Sequence, residues 1–189
     1  IWKSVSSCMP PYGLMVLASC VEQNGFKVKI LDTYAERLAV DDIEIYLKNN
    51  IDEPRFVGLT ASTVNVKHAY AVSNICKKLW PNTKIIFGGV HATSKPEEPL
   101  KGDAADYVIR GEAEYTFTDL IKGRPLKEIN SLTYFNNKKE IIHNKEGEIV
   151  DLDKLPMPAY HLLPMEKYYP AVGSYKRLPA MNVVTSRGC

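Results

Sequence analysis

Three short runs of this chain gather hydroxyl, imidazole or carboxylate groups, the last two together with glycine: Thr60-Ala61-Ser62-Thr63, Gly88-Gly89-Val90-His91-Ala92-Thr93 and Arg110-Gly111-Glu112-Ala113-Glu114. Two adjacent glycines remove every Cβ from a stretch of backbone, so a planar ligand group can slide along it where a side chain would block the way. Hydroxyls beside that stretch offer both donors and acceptors. Each run also has a plainer use when taken alone. Ser and Thr satisfy orphan amides at helix starts, a glycine pair makes a tight turn, and acids in a first helical turn answer the macrodipole. Found together, the three runs suggest one shared crevice. His91 is its only histidine; His68, His143 and His161 read as packed or surface side chains.

The elements that must carry these runs follow from periodicity. Apolar residues at helical spacing predict a helix over Tyr12 to Asn24, with Leu14, Leu17, Ala18 and Val21 on one face and Gly25 as its stop. Lys27 to Asp32 reads as a short strand, and Asp41 to Asn50 as a second helix turning Ile43, Tyr46 and Leu47 inward. The alternation continues with a strand at Phe56 to Thr60, a helix from about Val64 to Trp80, and a strand at Lys84 to Phe87. A strand at Tyr107 to Ile109 and a helix from about Ala113 to Lys122 complete it. Nearly all-apolar strands separated by helices belong to parallel sheets covered on both faces. The expected fold class is therefore α/β, a doubly wound parallel sheet of Rossmann or flavodoxin-like type. Each of the three runs directly follows a strand, where the ligand crevice of an open parallel sheet lies.

No credible apolar strand precedes Tyr12, so a first strand is expected to be missing upstream, unless the polar segment Trp2 to Ser7 stands in for it. After Gly123, Ser131 to Phe135 and Glu140 to His143 predict a β-hairpin, read as an appendage. Prolines 156, 158, 164 and 170 make Asp151 to Pro170 a linker or strap. Met181 to Thr185 then reads as the start of a new strand. The domain division expected is 1–125, 126–150 and 151–189.

Composition narrows the class. Over 189 residues, 45% hydrophobic and 24% charged residues exclude disordered, collagen-like and disulfide-stapled chains. The balance 24 − 22 = +2 gives no phosphate-neutralising surface, so nucleic acid is not an expected partner. No run approaches the ~18 apolar residues of a spanning helix, and the start has no signal-peptide layout. The expected location is cytoplasmic. Cys8, Cys20, Cys76 and Cys189 form no C-x-x-C and read as reduced thiols.

The run Pro10-Pro11-Tyr12-Gly13-Leu14, then Gly58-Leu59-Thr60-Ala61 and the two later glycine motifs, resemble in this order the cobalamin-binding domain that precedes radical SAM enzymes. Relatives of that kind include the anaerobic magnesium-protoporphyrin monomethyl ester cyclase and hopanoid methylases. Leu155-Pro156-Met157-Pro158-Ala159-Tyr160 and Thr185-Ser186-Arg187-Gly188-Cys189 resemble the join between the two domains. The resemblance implies that the lower nucleotide tail of cobalamin lies in a slot lined by the hydroxyl loop and the glycine pair. It implies a cofactor-binding set of Gly13, Thr60, Ser62, Thr63, Gly88, Gly89, His91, Gly111 and Glu112. Broader cobalamin proteins carry D-x-H-x-x-G with a histidine for the cobalt; if Gly13 is its glycine, Cys8 replaces the acid and Pro10 the histidine. Proline cannot ligate a metal, so the resemblance implies base-off cobalamin with no histidine below the cobalt, with a Cys8 thiolate the less favoured ligand.

The family's C-x-x-x-C-x-x-C holds a four-iron four-sulfur cluster with one iron left open for S-adenosylmethionine. Only its first member, Cys189, is present, and one thiolate cannot hold such a cluster. The chain is thus expected to be an inactive, cobalamin-binding fragment with no catalytic residue, its partner being the radical SAM domain of a longer protein. Three other readings compete. An FMN carrier of flavodoxin type needs a run of backbone donors at a helix start, and Pro10-Pro11 remove two of them. A response-regulator receiver needs an Asp where Leu59-Thr60-Ala61 stands. A cobalamin fold that has lost its cofactor would serve as an interaction module.

Overall fold

The computed structural model describes residues 7–177 and 183–187. They fall into two compact units, one built from the two ends of the chain, up to Leu38 and from Asp151, the other from Ala39 to Val150.

In the first unit, helix α1 spans Tyr12–Gln23 and ends before Gly25, whose φ of +80° is the left-handed conformation that favours glycine there. Its buried face includes Ala18 and Val21 as periodicity predicts, but Met15 and Cys20 fill it where Leu14 and Leu17 are only half-buried. The strand expected at Lys27 to Asp32 does not form. Exposure alternates from Phe26 to Ile30 as a strand's would, yet the segment enters no ladder among the described residues. Alternation reports a half-buried extended chain; a strand also needs a partner's backbone.

The proline-rich strap forms only single 3-10 turns, at Leu152–Lys154, Tyr160–Leu162 and Met165–Lys167. It is tied down by backbone bonds in both directions between Cys8 and Tyr169, at 2.9 and 2.8 Å, and by the Ala159 amide on the Met15 carbonyl. Cys8, Met15, Ala35, Leu163 and Tyr168 make the core of this unit. Of the strand expected near the end, Met181 and Asn182 lie outside the described residues and Val183 to Thr185 form none. Residues 2–6 of the segment weighed as a stand-in for the upstream strand also lie outside them. Cys8 contributes only the one bridge to Tyr169.

The second unit is a five-stranded sheet in the order β1-β2-β3-β4-β5. Strands β1 (Phe56–Thr60), β2 (Lys84–Gly88) and β3 (Tyr107–Ile109) are parallel, with Thr60 opposite Gly88 at the end of the first pair. The hairpin forms where predicted, as β4 (Leu132–Phe135) and β5 (Ile141–His143), but it does not stand apart as an appendage. β4 pairs antiparallel with β3 and extends the same sheet. A lone hairpin is marginal in water, and pairing also covers the free edge of β3.

Helices α2 (Val40–Asn50), α3 (Val66–Leu79), α4 (Val90–Ser94), α5 (Glu97–Lys101) and α6 (Glu114–Ile121) complete this unit. Successive strand residues point to opposite faces, so β2 identifies both coverings. Phe87 meets Tyr70 of α3, ring centroids 5.5 Å apart, while Ile86 packs with Leu120 of α6, Ile109 and Leu132. Helices therefore cover both faces, as the α/β class requires. β2 is buried throughout its centre, whereas β1, an edge of the sheet, is only half-buried. At Gly58 on β1, an added Cβ would come within 3.2 Å of the Phe117 ring of α6, so the missing side chain sets how closely that helix lies. No helix among the described residues is long and apolar enough to cross a membrane.

Candidate cofactor site

The three polar runs, all in the second unit, lie at the carboxyl ends of β1, β2 and β3, and they are bonded to one another. The Ala61 amide donates to the Gly88 carbonyl at 2.9 Å, and the His91 amide donates to the Ala61 carbonyl at 3.0 Å, joining the first loop to the second. Thr93 joins the second to the third. Its hydroxyl donates to the Gly89 carbonyl at 3.0 Å and accepts from the Gly111 amide at 2.9 Å. Sequence reasoning placed Thr93 in the motif without giving it a part; a hydroxyl four residues after a loop carbonyl, on a helical turn, is the signal that could have found it.

The two glycines differ in what surrounds them. Gly89 has φ +91°, and a Cβ on it would stand 2.7 Å from the Ala61 carbonyl oxygen and 2.9 Å from the Thr60 hydroxyl. Its bareness is used by the protein, which packs the first loop against it. A Cβ on Gly88 would meet nothing within 4 Å. Bare backbone facing open space therefore lies at Gly88, opposite Thr60, which is exposed at the end of β1.

The remaining predicted residues divide in the same way. Ser62 is turned to its own loop, its amide and hydroxyl both donating to Asn65 Oδ1, at 2.7 and 3.1 Å. Thr63 is exposed and bonds His91 Nδ1 at 3.3 Å. His91 is 5% exposed, so its ring lies beneath the loop surface. Gly111, at φ +69°, has open space where a Cβ would be. Glu112 accepts the Val150 amide at 2.7 Å, anchoring the end of this unit. Gly13 belongs to the other unit, exposed in the first turn of α1 with nothing within 4 Å of a Cβ. Cys189 lies outside the described residues.

In the first unit, Pro10 and Cys8 are buried. Burial, and then the nearby Asp32 carboxylate, push the Cys8 thiol upward, so it stays protonated at neutral pH. Tyr168 donates to Asp32 Oδ2 at 3.2 Å, and its phenol is held well above the ordinary tyrosine range by burial first and by that carboxylate second.

Comparison with known proteins places the chain in a family. The B12 binding domain family matches residues 1–121. This chain belongs to that family. As a B12-binding domain it is 40% identical over 194 residues to an uncharacterized methyltransferase of Pyrococcus horikoshii, covering all of this chain and 40% of that protein. It is 27% identical over 190 residues to the anaerobic magnesium-protoporphyrin IX monomethyl ester cyclase of Rubrivivax gelatinosus, covering 95% of this chain and 33% of that one. The chain spans two-fifths or less of the length of these relatives.

Among solved structures, it superposes on the cobalamin-dependent S-adenosylmethionine radical enzyme OxsB with aqua-cobalamin bound. The TM-score is 0.71 at 21% identity, covering 84% of this chain and 23% of that one. It also superposes on the radical S-adenosylmethionine methyltransferase TsrM of Kitasatospora setae, with a TM-score of 0.63 at 22% identity, over 80% of this chain and 29% of that one. The fold is thus the Rossmann-like fold of B12-binding domains, and neither the FMN carrier nor the module without cofactor is favoured. The residues fit the cofactor: bare backbone at Gly88, open in front and flanked by the Thr60 hydroxyl, is a place where a flat polar group can lie against the sheet end.

Proposed function

We propose that this B12-binding domain holds the lower tail of cobalamin at the Gly88 end of β2, base-off, within a longer radical SAM enzyme. The observation that carries the reading is the open position at Gly88 beside the exposed Thr60, framed by three loops that Ala61, His91 and Thr93 bond together. Thr60 and Thr63 orient the tail by hydrogen bonds, and Gly88 lets it approach the backbone. Gly89 and Thr93 hold the loops that form the mouth. When bound, cobalamin supplies a redox-active cobalt.

Within the sheet unit, the His91 ring nitrogens face Thr63 and Glu98, which supports the base-off reading. In the motif of the other unit, Pro10 offers no side-chain ligand and Cys8 keeps its proton. In the longer protein, Cys189 would be the first ligand of a four-iron four-sulfur cluster that binds S-adenosylmethionine. The test is corrin absorbance retained through gel filtration after adding hydroxocobalamin, followed by Co(II) electron paramagnetic resonance. Nitrogen superhyperfine splitting that vanishes in His91→Ala would replace the base-off reading with histidine ligation; loss of all corrin on the column would remove the binding reading.

A further inference from the structure

One side-chain chain in the second unit is not used by loop packing alone. Tyr70 of α3 donates to Glu98 Oε1 of α5 at 3.1 Å, the same oxygen stands 3.5 Å from His91 Nε2, and His91 Nδ1 meets the Thr63 hydroxyl at 3.3 Å. At one end is an exposed hydroxyl of the crevice loop. In the middle is an imidazole that is 5% exposed and whose Nε2 makes no hydrogen bond at that distance.

We infer that this Tyr70–Glu98–His91–Thr63 chain sets the hydrogen-bond polarity of Thr63, and so which edge of a ligand the first loop accepts. A carboxylate only accepts. An Nε2 lone pair aimed at Glu98 would face like charge, so neutral His91 carries its proton on Nε2. Nδ1 is then an acceptor, the Thr63 proton points inward to it, and Thr63 offers lone pairs to a ligand amide. When His91 is protonated, Nδ1–H donates to Thr63 and the hydroxyl proton turns outward, toward a phosphate or carbonyl oxygen. The groups that face the imidazole from the packed elements are Glu98 from α5, Tyr70 from α3 through Glu98, and Lys95, whose Nζ is 3.9 Å from the other Glu98 oxygen. From the first loop the Thr63 hydroxyl faces it. His91 is thereby a positioning residue, acting on a ligand through Thr63; the inference rests on the reading that this crevice takes cobalamin.

Long-range proton–nitrogen correlation spectra of the histidine-labelled chain, recorded without corrin, test it, with the His91 signals assigned by their loss in His91→Gln. The neutral His91 ring should show the Nε2–H tautomer. Glu98→Gln should erase the tautomer preference. An Nδ1–H tautomer in the wild type would overturn the inference, since Thr63 would then accept in both states and nothing would reverse.

A second readout is hydroxocobalamin affinity with the His91 ring neutral and with it doubly protonated, the two states being read from the same spectra. One reversed hydrogen bond should change it about fivefold in the wild type, and Thr63→Val should be flat. An equal change in both would also overturn the inference. Failure of corrin to bind would count against the cofactor reading alone, because the spectra without corrin decide the polarity of Thr63.

Discussion

The two units of this chain are held by different kinds of bond. Residues 39–150 are organised by a ladder of five strands, with Phe87, Ile86 and Val108 fully or almost fully buried between helices. Among the described residues, the unit made from the ends has one α-helix, one isolated bridge at Cys8 and Tyr169, and a strap held, besides that bridge and the Ala159 amide, by side chains: Tyr168 on Asp32, Lys167 on Glu36 at 2.6 Å, His161 on Glu22 at 3.0 Å. A ladder shares its load over many backbone bonds. A strap concentrates it on a few polar contacts, and exposed ion pairs contribute little. Substitutions in the two units should therefore fail differently.

The largest effect is expected at Gly89→Leu. The side chain would meet the Thr60–Ala61 backbone in a left-handed conformation that costs a non-glycine residue further, so a destabilisation of roughly 3 kcal/mol or more should appear in denaturant unfolding of the sheet unit. A folded, fully stable Gly89→Leu protein would break the distinction between the two glycines. Next comes Tyr168→Phe, which removes a hydrogen bond to a carboxylate and should cost about 1–2 kcal/mol. That loss should be confined to hydrogen-exchange protection in α1 and the strap; equal loss in β2 would mean the units do not open separately.

Alkaline pH sharpens the comparison further. Burial pushes the Cys76 thiol in α3 up to about 11. A raised folded value gives stability that is fully present below the unfolded thiol's value of about 8.5 and is lost as pH rises through the folded one. The sheet unit should weaken over that window, and Cys76→Ala should flatten the decline. For Tyr168 the loss begins only above about 10, the unfolded phenol's value, and falls on the strap. The smallest effect belongs to Lys78→Ala, which removes an exposed pair with Glu44 on α2 and should shift stability by less than about 0.5 kcal/mol.

The same contrast explains what could be read from the residues. β1, β2, β3 and the hairpin strands were legible because branched and aromatic runs bounded by turn residues leave a sheet few alternatives. Residues 27–32 misled because their alternation of Lys with Val and Ile is real, while the partner that would make a strand is a tertiary fact. Helices α4 and α5 were hidden, five residues each, the first starting within the glycine-pair motif and the second following Pro96 with Pro99 inside it. The site's place at three strand ends was visible, but not its division of labour. Which glycine faces the protein and which faces open space depends on a φ value and on a neighbouring loop, and the turning of Glu112 to Val150 depends on chain that returns 38 residues later.

Equilibrium dialysis of hydroxocobalamin against the wild-type chain and Gly88→Leu, with circular dichroism of both, tests the central claim most directly. A leucine at Gly88 enters space the protein leaves open, so the variant should stay folded and lose at least about tenfold in affinity, the equivalent of roughly 1.4 kcal/mol. Unchanged binding by a folded Gly88→Leu protein would show that cobalamin does not lie against that end of the sheet.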